Sequence, residues 1–102
     1  MKEYEIYVPL THNDGSSVDP NVLVHLRERL LEQFGGLTFF PQRNEGFWTF
    51  GGVTYRDEIV VYRILTAQTG MARKFFRALK EELKRNLEQE DILIVEKDAD
   101  VL

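Results

Sequence analysis

Apolar and polar residues alternate with a period of two in some stretches of the chain and recur at helical spacing in others. The first stretch, residues 4–10, is predicted to be a strand with four side chains on one face, namely Tyr4, Ile6, Val8 and Leu10. Pro9 limits this strand, because proline has no N–H to donate to a neighbouring strand. A helix is then predicted from Pro20, with Asp19 as its N-cap, to the Gly35-Gly36 pair, which favours a helix end.

Two further strands are predicted in the middle of the chain. One begins at Leu37 and ends at Pro41, and residues 42–46 after it have the composition of a turn. From Val53 the chain is again extended. Residues 59–65 are apolar on both faces, which is typical of a strand in the middle of a sheet.

The last third of the chain predicts one helix and one strand. Apolar residues at helical spacing place the helix over residues 71–88, with Thr69 as its N-cap. The final strand covers residues 92–95, and residues 98–102 are expected to form a mobile tail. The order is strand, helix, strand, strand, helix, strand, within a single domain over residues 1–102.

This order resembles the ferredoxin-like α+β sandwich, in which a four-stranded antiparallel sheet carries two helices on one face. The segments Phe34-Gly35-Gly36-Leu37-Thr38 and Gly46-Phe47-Trp48 are also similar to small uncharacterised bacterial proteins of that fold. The resemblance implies the fold and no activity, since this superfold serves enzymes, regulators and RNA-binding proteins alike.

Such a fold leaves one sheet face open. Whichever register of the third strand faces away from the helices, large apolar side chains remain to be covered: either Val60, Tyr62 and Ile64, or Ile59, Val61 and Leu65. Val24 and Leu31 lie together on a flank of the first helix, away from its main apolar stripe. We therefore expect a homodimer that covers the open sheet face or this flank, since apolar patches of this kind mark association surfaces.

Composition excludes several kinds of site. The 102 residues contain no cysteine, which rules out disulfides, thiolate metal ligands and cysteine nucleophiles. The two histidines, His12 and His25, are far apart in the chain, so neither a metal nor another cofactor is expected. No apolar run is long enough to span a bilayer, and no export signal is recognisable, so we expect a cytoplasmic domain.

The second predicted helix carries a basic stripe made of Arg73, Arg77, Lys80 and Lys84. A stripe of this kind can bind the phosphates of a nucleic acid. The net charge of the whole chain is −4, however, and a solvated helix face is the more common explanation of such a pattern. Nucleic-acid binding is therefore the third of the functional hypotheses.

A candidate ligand site lies in the long hairpin between the second and third strands, which gathers aromatic, basic and acidic residues. Trp48 could cover a small aromatic or anionic ligand, and Arg43 or Arg63 could pair with its carboxylate. Tyr55 belongs to the same group, and Glu58 could act as a base if it is half-buried. The alternatives are that Trp48 packs against the core, and that Glu58 pairs with Arg56 or Arg63.

A second candidate site lies in the loops after the first and third strands. We expect those strands to be parallel neighbours in this fold, so the two loops should lie side by side and surround two helix N-termini, which suit an anion. The polar residues there are Thr11, His12, Asn13, Ser16, Gln68 and Thr69. His12 could exchange protons near neutral pH, although all these residues are also ordinary turn and cap formers.

Three functions remain open at this point. The first is a small interaction or ligand-sensing module that acts as a homodimer, with the hairpin around Trp48 touching ligand or partner. The alternative is a small-molecule enzyme that uses Glu58 or His12 as acid or base, with Arg63 or Arg43 orienting an anionic substrate. Nucleic-acid binding through the basic stripe is the third.

Overall fold

The computed structural model describes residues 1–102 and contains four strands and two helices. In chain order these are β1 (Lys2–Pro9), α1 (Pro20–Phe34), β2 (Thr38–Phe50), β3 (Val53–Thr66), α2 (Thr69–Asn86) and β4 (Leu93–Asp98). The strands form one sheet in the order β2-β3-β1-β4, and every neighbouring pair is antiparallel. The predicted ferredoxin-like α+β sandwich is thereby confirmed.

The core lies between the helices and one face of the sheet. Tyr4, Ile6 and Val8 of β1 are almost fully buried, as their alternation predicts. From β3 the register Val60, Tyr62 and Ile64 faces the helices, and from the helices the buried residues are Leu26, Leu30, Ala72, Phe76, Leu79 and Leu83. Tyr4 stacks on Phe76 with ring centroids 4.2 Å apart. The opposite face of the sheet, which carries Ile59, Val61, Arg63 and Leu65, is the open one.

The helix ends follow local chemistry. The Asp19 side chain accepts a hydrogen bond from Asn21 N at 2.9 Å, and Gly35 ends α1 in the left-handed conformation with φ 77°, both as predicted. For α2 the predicted N-cap is wrong. Gln68 holds that position and Thr69 is the first helical residue, because Ala72 N donates to Gln68 O and so closes the first turn there.

The predicted end of the second strand at Pro41 is wrong, as is the turn over residues 42–46. The strand β2 continues to Phe50, and its register against β3 shifts between Phe40 and Asn44. Pro41 lies inside this irregular segment, where a residue without an N–H costs no regular ladder bond. The turn is instead formed by Gly51 and Gly52.

The expectation that the first and third strands are parallel neighbours is also wrong. They pair antiparallel, with Lys2 opposite Thr66 and Pro9 opposite Ile59. The loop after β1 and the loop after β3 therefore leave from opposite ends of the sheet. The candidate anion site that needed both loops side by side does not exist.

The C-terminal strand is longer than predicted. It runs to Asp98, and Ala99 N donates to Met1 O at 3.1 Å, so only the last few residues lie beyond the sheet. Neither helix has the length and apolar character needed to cross a lipid bilayer.

Candidate functional site

The β2–β3 hairpin extends well beyond the rest of the sheet. Since β1 pairs with β3 only from Ile59 to Thr66, residues 44–58 form a two-stranded arm. Gly51 and Gly52 connect its strands with φ of 59° and 78°, as a type I′ turn requires. The arm gives the molecule its elongated dimensions of 41 × 27 × 24 Å.

One face of the arm carries an aromatic and acidic cluster. The rings of Trp48 and Tyr55, which are cross-strand partners, stack with centroids 4.7 Å apart. The indole Nε1 of Trp48 donates a hydrogen bond of 2.7 Å to Asp57 Oδ2. Asp57 is only 7% exposed although it lies at the base of a protruding arm. The tryptophan thus covers a buried carboxylate.

Trp48 and Asp57 of this cluster line a cavity of about 260 Å³. Its wall is built by the base of the arm, the end of β1 and the connection from α2 to β4, and consists of Tyr7, Pro9, Gly46, Phe47, Trp48, Asp57, Ile59, Gln89, Asp91, Ile92 and Leu93. Gly46 lies directly opposite Asp57 in the hairpin register and leaves room for the cavity on that face. No lysine, arginine or histidine is part of the wall.

Acidic groups determine the electrostatics of the cavity. Burial raises the cost of ionising Asp91, but its contact of 3.2 Å with Lys80 Nζ and the hydrogen bond from Ile92 N outweigh that cost and lower its pKa. The carboxylate of Asp57 receives one hydrogen bond, from the neutral indole N–H, and no cationic side chain pairs with it. The cavity is therefore deficient in positive charge.

The residues predicted for the hairpin site divide between two faces. Trp48 lines the cavity, whereas Tyr55 stacks on Trp48 and is not itself part of the cavity wall. Glu58 lies on the opposite face of the arm, where its Oε2 is 3.3 Å from Arg43 Nη1. On that same face Arg56 pairs with Glu45 at 2.8 Å. Neither Glu58 nor Arg43 lines the cavity.

Arg63 lies on the open sheet face, opposite Thr38 and far along β3 from Tyr55. Its guanidinium is stacked over the Phe40 ring at 5.2 Å, it makes no ion pair, and its buried Nε has no hydrogen-bond acceptor. Its cross-strand neighbour Glu5 instead pairs with Lys97 at 2.5 Å. That contact lowers the pKa of Glu5 and raises the pKa of Lys97.

His12 occupies a separate position. Its Nδ1 is 3.0 Å from Leu87 O, and since a carbonyl only accepts, Nδ1 carries the proton there. Leu87 is the C-cap of α2, so His12 bonds to a carbonyl at that helix end. Like Glu58, His12 is absent from the cavity wall.

The basic stripe of α2 is mostly neutralised within the chain. Arg73 binds Glu96 through two hydrogen bonds, Lys80 is paired with Asp91, and Lys84 lies 3.7 Å from Glu81. Of the four predicted residues, only Arg77 forms no ion pair. Elsewhere in the chain, no group of three or more histidine or acidic side chains gathers in a geometry that could hold a metal ion.

Asp57 is the main residue that sequence reasoning missed. The signal that could have found it is the Gly51-Gly52 pair, taken as a two-residue hairpin turn. That turn fixes the register, which pairs Trp48 with Tyr55 and places Asp57 opposite Gly46 on the same face. The mistaken turn at residues 42–46 hid this register.

No protein-family model matches the chain, and no curated protein sequence matches it. The solved structures that share its fold include the following three. A phage SAM lyase in the apo state has a TM-score of 0.71 and 18% identity, over 94% of this chain and 78% of the lyase. A phage SAM lyase in complex with S-methyl-5'-thioadenosine has a TM-score of 0.67 and 18% identity, over 95% and 80% of the two chains. A mutant of CutA1 from Pyrococcus horikoshii OT3 has a TM-score of 0.62 and 16% identity, over 100% of this chain and 86% of the CutA1 chain. At these identities the likeness shows the fold alone.

Proposed function

We propose that this chain is a small ligand-binding module that works as a homodimer. The ligand is a small aromatic molecule held in the cavity beside Trp48, and the dimer covers the open face of the sheet. The observation that carries the proposal is the buried Asp57 carboxylate, which lies under the indole of Trp48 in the wall of that cavity.

The form of the cavity supports the ligand part of the proposal. A concave site with apolar and aromatic walls and a few fixed polar groups is the usual form of a small-molecule site. Asp57 and Gln89 are each 7% exposed, so these polar groups are held in place rather than mobile at the surface. A protein that needed only a stable core would gain by replacing such a carboxylate with an apolar side chain.

The open sheet face supports the homodimer. Leu65 and Leu93 are 43% and 58% exposed there, and they flank the charged residues of the central strands. Arg63 lacks a carboxylate partner, while Glu3 and Glu5 lie on the same face and share one cation, Lys97. A second copy related by a two-fold axis can bring acidic groups against Arg63, so the face is complementary to itself in charge.

The exposed arm supports association as well. A two-stranded hairpin is marginally stable in water without a surface to pack on. Phe47 and Phe50 in the arm are 64% and 54% exposed. Contact with a second copy would remove such apolar surface from water and hold the arm in place.

A structure with this fold holds a small molecule. It was solved in complex with S-methyl-5'-thioadenosine, a nucleoside. This supports a small-molecule role for the present chain without indicating which molecule it binds. Nucleic-acid binding is not part of the proposal, because most of the basic stripe is committed to ion pairs.

The ligand site is tested by blocking the cavity. Thermal-shift screening of small aromatic compounds against the wild-type chain should yield stabilising ligands, and these should lose their effect in Gly46→Val. The atoms nearest to a Cβ at position 46 would be two of the Ile59 side chain and the carbonyl oxygen of Asp57, all at ordinary contact distances of 3.6–3.9 Å, so the variant should fold. Valine is also favourable in a strand.

The matched control is Thr49→Val, which introduces the same side chain on the opposite face of the same strand. Ligands should stabilise this variant as they stabilise the wild type. Ligands that act equally on both variants would show that binding occurs elsewhere, and no stabilising compound at all would contradict the proposed site.

An enzyme acting on a small molecule is the second candidate, and the similarity in fold to a phage SAM lyase favours it. In that case Asp57 takes the role of acid or base that the sequence suggested for Glu58 or His12, because Asp57 lines the cavity and they do not. Mass spectrometry of a compound incubated with the protein separates the two functions. A binding module returns the compound unchanged, whereas an enzyme releases a product that Asp57→Asn fails to form.

A further inference from the structure

We propose that the cavity beside Trp48 selects a planar cation that carries N–H donors, such as an aryl amidinium or a protonated aromatic amine. This inference rests on the proposed ligand-binding function and specifies its ligand class. It replaces the anion expected from the sequence, because Arg43 and Arg63 are not part of the cavity wall.

The strongest observation is the state of Asp57. The residue is only 7% exposed, and its side chain accepts one hydrogen bond, from Trp48 Nε1 to Oδ2. The other oxygen, Oδ1, receives no donor from the protein. Oδ1 is not fully buried, so it can be reached from outside, and a largely buried carboxylate with one free oxygen binds a cation or a strong donor that can enter.

The remaining polar groups of the wall also present acceptors. Gln89 uses its Nε2 donor group on the carbonyls of Thr11 and Leu87, which leaves its side-chain oxygen. Tyr7 donates its hydroxyl proton to Glu5, and Trp48 donates its only N–H to Asp57. The side-chain donors of the wall are thus already committed, and an anionic ligand would find no donor among them.

Size and aromatic content restrict the ligand further. A cavity of about 260 Å³ is slightly smaller than the usual small-molecule site, which suits a single ring with a short polar group. Tyr7 and Trp48 contribute aromatic side chains to the wall, and aromatic faces attract cations. An amidinium can also offer two parallel N–H groups to one carboxylate.

The experiment compares benzamidine with benzoate, which have nearly the same shape and opposite charge. Trp48 is the only tryptophan, so its fluorescence reports on this site directly. Benzamidine should change that fluorescence in a saturable way, and benzoate should not. In Asp57→Asn the dissociation constant for benzamidine should rise about tenfold or more, because a charge-assisted hydrogen bond becomes a neutral one.

Glu58→Gln is the matched control, since it removes one negative charge from the neighbouring residue on the opposite face of the arm. The dissociation constant of this variant for benzamidine should stay within about twofold of the wild-type value. Asp57→Asn retains an acceptor for the indole N–H, and an unchanged Trp48 emission spectrum without ligand confirms that the arm stays folded.

Two results would overturn the inference. One is benzoate binding as tight as benzamidine binding, and the other is an equal affinity for benzamidine in Asp57→Asn and the wild type. In either case the proposed ligand site survives if another compound loses its effect in Gly46→Val. If no compound of either charge binds, the inference and the proposed ligand site fail together.

Discussion

At the residue scale, the most strongly perturbed carboxylate is Glu96 on β4. Arg73 binds it through Nε at 3.0 Å and through Nη2, and the hydroxyl of Tyr4 donates to it at 2.6 Å. These hydrogen bonds lower the pKa of Glu96 to about 2, in spite of some desolvation. Burial, together with the same bond to Glu96, raises the pKa of Tyr4 to about 12. The network joins the edge strand to α2.

A dependence of stability on acidic pH follows from Glu96. Its pKa is lower in the folded than in the unfolded chain, so its contribution is present above about 4.5 and is lost as the pH falls towards 2. The difference in unfolding free energy between the wild type and Glu96→Gln should therefore shrink over that range. Urea denaturation at several pH values measures it.

Glu90→Gln serves as the control, because Glu90 is exposed and forms no ion pair. Its difference from the wild type should stay nearly constant over the same pH range. A Glu96→Gln difference that does not change with pH would show that the Arg73 and Tyr4 contacts do not favour the ionised form.

At the scale of elements, the β2–β3 hairpin decides where the candidate site lies. The glycine turn sets a register in which Trp48, Tyr55, Asp57 and Gly46 share one face. The irregular segment around Pro41 then changes the register between the arm and the sheet. A central strand paired on both sides thus continues into an arm paired on one side only.

The turn is testable by substitution at Gly51. A left-handed conformation costs a β-branched residue about 1–2 kcal/mol or more, whereas asparagine tolerates it. In Gly51→Val, amides of the arm should exchange with solvent about tenfold faster than in the wild type. Hydrogen exchange followed by NMR resolves the arm from the core.

Gly51→Asn is the conservative comparison and should retain nearly the wild-type exchange rates in the arm. The core amides of β1 should exchange alike in all three proteins. Equal protection of the arm in Gly51→Val and Gly51→Asn would mean that the turn conformation does not limit arm stability.

At the scale of the whole molecule, the open sheet face combines apolar and charged residues. Glu3, Glu5 and Lys97 form a charged network with contacts of 2.5 and 3.0 Å, so the face is not the uniformly apolar surface that the β3 pattern alone suggests. Ile59, Val61 and Leu65 of β3 still lie beside that network. This mixture suits the proposed dimer interface, since specific interfaces combine apolar side chains with complementary charged groups.

Self-association should therefore depend on the apolar residues of this face. Analytical ultracentrifugation at increasing protein concentration should show that the molecular mass of the wild type rises from that of one chain to that of two chains. Leu65→Lys should shift that transition to higher concentration, because it places a charge in the apolar part of the interface. The new lysine lies opposite Glu3, so the monomer should remain folded.

Leu31→Lys tests the other surface that the sequence offered, the Val24 and Leu31 flank of α1. Leu31 is 45% exposed, close to the exposure of Leu65, so the two substitutions are matched. The proposed interface requires that Leu31→Lys associates like the wild type. A loss of association in Leu31→Lys alone would show that the interface lies on the helix flank. A wild-type chain that stays monomeric at high micromolar concentration would contradict the homodimer itself.

Local chemistry by itself determined the elements and their buried faces. Alternation in β1 and helical spacing in α1 and α2 identified core side chains, because a strand or helix that packs on a core buries the residues of one periodic face. The cap at Asp19 and the end at Gly35 were readable because each depends on atoms only a few residues away. These features, with the order of elements, were sufficient for the fold class.

Only the tertiary structure decided which distant residues meet. The antiparallel pairing of β1 with β3 separates the two loops that were expected to form an anion site, and no local pattern reports strand direction. The cavity needs the arm, the end of β1 and the α2–β4 connection at once, so neither Asp57 nor Gln89 stands out along the chain. Burial and charge pairing arise from packing across the sequence, and for that reason they became visible only when the chain was folded.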